Sequence, residues 1–159
     1  MKTADQWFEE YGISHKNKTN KFIHWVCVPA IFFSIIGLFA AIPHDFLDAL
    51  FPENYSPYVN FGSIALVIAL MFYFALSPRL FIGMLFLAIA IIYGNAMIET
   101  STLSLWQFSL TVFVLAWVGQ FIGHHIEGAK PSFFKDLQFL MIGPAWLMHF
   151  IYKKLGLKY

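Results

Sequence analysis

Four apolar stretches, each close to the ~20 residues needed to cross the hydrocarbon core of a bilayer, dominate this chain and restrict what it can become. They run over residues 22–42, 59–76, 80–98 and 105–126, and a shorter fifth covers 137–152, where Gly143-Pro144 is expected to break it in its middle. Backbone polar groups cannot be left unpaired in lipid, so spans of this kind must be helical. Composition agrees: 59% of the residues are hydrophobic and 12% charged, against roughly 25% charged in soluble domains. The expected fold class is all-α, an integral membrane helical bundle. We expect about four transmembrane helices, an N-terminal amphipathic helix and a C-terminal re-entrant or interfacial segment at 137–152. Residues 1–159 read as a single membrane domain without repeats.

The polar ends refine this picture. Thr3-Ala4-Asp5-Gln6 reads as a capping box opening a short helix that ends near Gly12. Its Trp7, Phe8 and Tyr11 suit the headgroup level. Thr19 or Asn20 is the expected cap of the first span, and Pro29 should kink it. With the N-terminus in the cytoplasm, all ten basic residues fall on one side provided the last segment does not cross. Asp45, Asp48, Glu53 and Glu99 fall on the other. The net charge of +1 gives no footprint for nucleic acid. The single cysteine, Cys27, excludes a disulfide framework or a cysteine-based zinc site.

This topology gathers the histidines. His15, His24, His124, His125 and His149 come to the cytoplasmic boundary, and His44 to the far side. Asn20 and His24 are four apart on one helical face, as are Gln120 and His124. His125 points about 100° away from its neighbour. Gly123 permits close approach of a helix or ligand. Neutral imidazole is the commonest metal ligand, and Asn, Gln or Glu can orient it or hold a bound water. His15, His24, His124 and His125 are therefore the candidate metal ligands, with Asn20, Gln120 and Glu127 as candidate catalytic groups. The plain alternative is interfacial packing, which imidazole tolerates well.

The run from Tyr11-Gly-Ile-Ser-His15 through Asn17, Asn20 and His24 resembles the opening motif of the membrane-bound 2-hydroxy fatty acid dioxygenases. These form a small fungal, plant and bacterial family tied to phytosphingosine breakdown. Gln120-Phe-Ile-Gly123-His124 through Glu127-Gly-Ala-Lys130-Pro131 resembles the second motif, and Pro144-Ala-Trp146 fits the bacterial branch. The resemblance implies α-oxidation: a 2-hydroxy fatty acid and molecular oxygen give the acid one carbon shorter and carbon dioxide. It implies Fe(2+) without an organic co-substrate, held by His15, His24 and His124, with the fourth ligand open. Membrane lipid would surround the site. Two other classes fit the residues: a bis-histidine haem protein using His24 and His124, and a non-catalytic lipid-binding scaffold.

Overall fold

A computed structural model describes residues 2–128 and 139–159. Its elements are α1 (Ala4–Gly12), α2 (Lys18–Ala40), α3 (Asp45–Asp48), a 3-10 helix (Glu53–Tyr58), α4 (Phe61–Leu76), α5 (Pro78–Glu99), α6 (Leu105–Glu127) and α7 (Ile142–Lys154). No strand occurs among the described residues. Four segments are long and apolar enough to cross a membrane: α2, Asn54–Leu76 including the 3-10 helix, α5 and α6. Only 28–39% of each most apolar window is buried inside the bundle. The outward remainder carries Val67, Met71, Phe74, Phe86 and Leu115, all exposed. A surface this apolar is stable against lipid rather than water. Ala129, Lys130, Pro131, Lys135 and Leu137 lie outside the described residues.

Local chemistry sets the helix ends. Thr3 and Gln6 form the expected capping box on α1. The first span starts earlier than the cap residues Thr19 and Asn20 suggested. Asn17 is the cap instead, its Oδ1 accepting from the Thr19 N–H at 2.8 Å and the Asn20 N–H at 3.4 Å. An Asn side chain placed before the first turn satisfies donors that would otherwise be orphaned. Asn20 is thereby released for the interior. The helix runs on through Pro29 to Ala40.

Helix α2 is the axis of the bundle. It packs most extensively on α6 and also touches α4, α5 and α7, while α4 pairs with α5. The α2–α6 approach is close because α6 presents glycine to α2. A Cβ at Gly119 would meet Cys27 Sγ at 2.5 Å, and one at Gly123 would meet Asn20 Oδ1 at 2.5 Å. Small residues four apart are the usual means of bringing two backbones together in lipid.

Two expectations change at the C-terminal segment and at α1. Gly143-Pro144 does not interrupt a helix. It lies in the first turn of α7, where the missing proline N–H has no intrahelical acceptor to lose. At ~1.5 Å per residue its 13 residues reach ~20 Å, short of the ~30 Å hydrocarbon core. Tyr152 anchors α7 at the start of α5, donating to the Arg79 carbonyl (2.6 Å) and accepting from the Gly83 N–H (3.2 Å). Phe8 and Tyr11, expected among headgroups, are buried instead. With Ala4 they form an i, i+4, i+7 stripe, which is the core-facing pattern of an amphipathic helix, and α1 lays it on α7. The starts of α2 and α5, the end of α6, and α1 and α7 thus share one end of the bundle.

Candidate metal centre

The site is assembled from two antiparallel spans and the turn before one of them. Residues 13–17 link α1 to α2, and His15 sits within that link. Its Nδ1 lies 2.6 Å from the Tyr11 carbonyl. A carbonyl only accepts, so Nδ1 carries the proton and the lone pair is on Nε2. His24 repeats the arrangement nearly two turns inside α2, with Nδ1 donating to the Asn20 carbonyl at 3.0 Å. His124 comes from the last turn of α6. The three are 2%, 1% and 4% exposed. Each offers a ring nitrogen within 4.8 Å of the other two. The rings touch one another, with centroid separations of 4.2 Å (His15–His24), 4.9 Å (His24–His124) and 5.4 Å (His15–His124).

Packed polar rings in an apolar bundle carry a desolvation cost. His15 Nε2 is buried and makes no hydrogen bond among the described residues. Burial pushes its pKa down to about 4. His15 is therefore neutral through the physiological range and presents a lone pair rather than a proton. Buried imidazole nitrogens brought this close together can hold a soft-to-borderline cation, and three imidazoles suit zinc, copper, iron or nickel. A backbone carbonyl behind the first two rings fixes their tautomer and orientation, as is usual behind metal-bound histidine.

The link carrying His15 is held from across the bundle. Glu127, at the end of α6, accepts from the backbone N–H of Lys16 (2.7 Å, to Oε1) and of Asn17 (2.9 Å, to Oε2). Asn20 is fully buried; its Nδ2 donates to Glu127 Oε2 (2.9 Å) and to the Ser14 carbonyl (3.1 Å). Both residues thus face the loop that places His15. Gln120 is buried one turn from His124.

Not every expected residue joins the group. His125 is exposed and lies outside it, because one step along α6 turns the ring about 100° from His124. His149 packs against Phe8 and hydrogen-bonds the Tyr159 hydroxyl. His44 is at the opposite end of the bundle, with Nε2 3.8 Å from Asp48. Conversely, two residues of the surroundings escaped the sequence reading. Tyr11 stacks on His15 (centroids 4.2 Å, planes 18° apart), and Trp146 lies 5.3 Å from the same ring. The only sequence signal for either was its place inside a motif.

The model of the family described as "2-hydroxy-palmitic acid dioxygenase Mpo1-like" matches residues 1–155. The chain belongs to the Mpo1-like family. The match spans both histidine motifs of this Mpo1-like chain as well as α7, so the three ligating candidates and their supports all fall inside it. No curated protein and no solved structure matches significantly.

Proposed function

We propose that this protein is a non-haem Fe(2+) dioxygenase of membrane lipid metabolism. It converts a 2-hydroxy fatty acid and molecular oxygen to the fatty acid one carbon shorter, carbon dioxide and water. The observation that carries the reading is the buried group of three imidazoles at the polar end of an apolar bundle. Family membership supplies the reaction class. When bound there, ferrous iron would supply redox chemistry toward oxygen and a divalent charge that orients the 2-hydroxy carboxylate. A ligand set of His15, His24 and His124 contains no anion, so that charge is left for the substrate carboxylate to balance. Open positions beside such a set suit non-haem iron.

The protein's own groups do the rest. His15 and His24 hold their Nδ1 protons on carbonyls, Tyr11 and Trp146 cover His15, and the packing keeps bulk water away. Asn20 and Glu127 position the His15 turn, and Gln120, buried one turn from His124, offers a polar side chain to the substrate head. Histidine rings already in mutual contact leave no slot for a porphyrin between His24 and His124, which weighs against the haem alternative. The structural scaffold alternative gives no reason to bury three imidazoles together.

The direct test combines metal analysis with oxygen uptake. Protein purified in detergent or nanodiscs should hold about one iron per chain, with no Soret band. It should consume oxygen with 2-hydroxypalmitate, yielding pentadecanoate, and not with palmitate. Chelation should abolish uptake and Fe(2+) restore it. Iron-loaded protein that leaves 2-hydroxypalmitate untouched would sink the reading.

Basic residues also suggest an orientation. The described ones, Lys2, Lys16, Lys18, Lys21, Arg79, Lys153, Lys154 and Lys158, belong to the histidine-bearing end. That end would face the cytoplasm, whether in a bacterial inner membrane or the endoplasmic reticulum. Cysteines introduced singly beside Asp48 and beside Lys158 should react with an impermeant reagent from opposite sides. The native Cys27 is buried and gives little background. Reaction from the same side would refute the arrangement.

A further inference from the structure

Below the histidine layer lies a recess of about 340 Å³, counting its open mouth. Tyr11 and Gln120 stand at its polar end, and Val28, Ile31, Trp117 and Leu140 line its apolar remainder. The helical register explains why it adjoins the metal candidates. His24, Val28 and Ile31 are i, i+4 and i+7 on one face of α2. His124, Gln120 and Trp117 repeat that spacing in reverse on α6. Each histidine thus heads a stripe that turns apolar as it runs inward. From His24 to Ile31 the descent is ~10 Å, about two-thirds of the ~15 Å depth of one leaflet. The space is narrow, with room for about one water molecule as it stands, so an alkyl chain enters only as the lining side chains part.

We infer that this recess receives the alkyl chain of the substrate, holding the carbons next to the carboxyl between Val28, Ile31 and Trp117. The inference rests on the dioxygenase reading for the identity of the head, and the recess itself supplies the place of the tail. An amphiphile entering with its chain along the stripes brings its polar end to Gln120 and the histidines without leaving the leaflet. Ile31 forms the deep wall and so limits how much chain is bound in register. Gly143 also lines the recess. A Cβ there would lie 3.0 Å from Val28 Cγ1 and 3.3 Å from the Tyr11 hydroxyl, so a larger side chain at 143 would crowd these two lining residues.

Two measurements test this. In the first, a 2-hydroxy fatty acid carrying a diazirine a few carbons from its carboxyl is photolysed with iron-loaded, wild-type protein in nanodiscs without oxygen, and the adducts are mapped. Adducts at Val28, Ile31, Trp117 or Leu140, competed by 2-hydroxypalmitate, are expected. Adducts confined to outward residues such as Val67 and Phe74 would overturn the proposal. In the second, Ile31→Trp is assayed with 2-hydroxy acids of graded length. Turnover of the sixteen-carbon acid should fall on the order of tenfold or more relative to short-chain acids, since a pocket wall discriminates by that amount per methylene or two. An equal change at every length would also overturn it. Adducts in the recess with no turnover of any hydroxy acid would leave the chain site standing and remove the dioxygenase reading. Turnover with adducts only elsewhere would do the reverse.

Discussion

Replacing His24 with alanine is expected to remove bound iron and turnover together while α2 stays helical. His24 is 1% exposed, and its ring touches both other histidines. Its loss leaves two donors, which neither hold a divalent ion tightly nor fix its geometry. Losses behind a ligand already cost on the order of 10–100-fold, so losing the ligand should cost more. The span should persist, because α2 packs on α4, α5, α6 and α7 rather than on one ring. His15→Ala and His124→Ala should behave alike. His125→Ala should retain a substantial fraction of activity, and His44→Ala at the far end should be close to neutral. Elemental analysis, oxygen uptake and circular dichroism on the five variants decide the matter. Full iron and turnover in the His24 variant would dissolve the proposed group. A more damaging change at His125 than at His124 would move the α6 ligand by one residue.

Glu127→Ala should weaken iron binding on the order of 10–100-fold without removing any ligand. The carboxylate accepts three hydrogen bonds, two from backbone amides of the turn that carries His15. Charge-assisted bonds of this kind are individually stronger than neutral ones. Without them the turn is released from α6 and His15 must be reordered each time metal binds. Glu127→Gln should fall between, since the amide keeps one acceptor oxygen but sets an NH2 where an acceptor stood. Chelator competition measures the affinity, and hydrogen exchange at the Lys16 and Asn17 amides reports the turn. Both should change together. A catalytic carboxylate would instead lower kcat with iron affinity and amide protection intact, and that outcome would end the positioning assignment.

The residues differ in how much of their place was written in the sequence. The spans were legible, because bilayer thickness turns a run of apolar residues into a length measurement. The capping box at Thr3 was legible for a similarly local reason. So was the pairing of Asn20 with His24 and of Gln120 with His124, which needs only the helical repeat. Alternating crossings then carried the His24 and His124 ends to one side.

Other features depended on how the helices turn toward one another. A soluble helix betrays its inner face by contrast with a polar outer one. In lipid both faces are apolar, so the sequence of α6 fixes the angle between His124 and His125 but not which of them looks inward. That was decided by Gly119 and Gly123, which seat α6 on Cys27 and Asn20 of α2. The turn holding His15 was likewise set at a distance, by Glu127 more than a hundred residues later. Phe8 and Tyr11 were drawn off the surface by α7, whose first turn put Gly143-Pro144 beside the recess rather than at a break. The sequence alone determined the number of spans, the polar end and the family. The packing of α6, α1 and α7 around α2 determined which three histidines meet, because rotation about a helix axis is set by partner helices and not by periodicity.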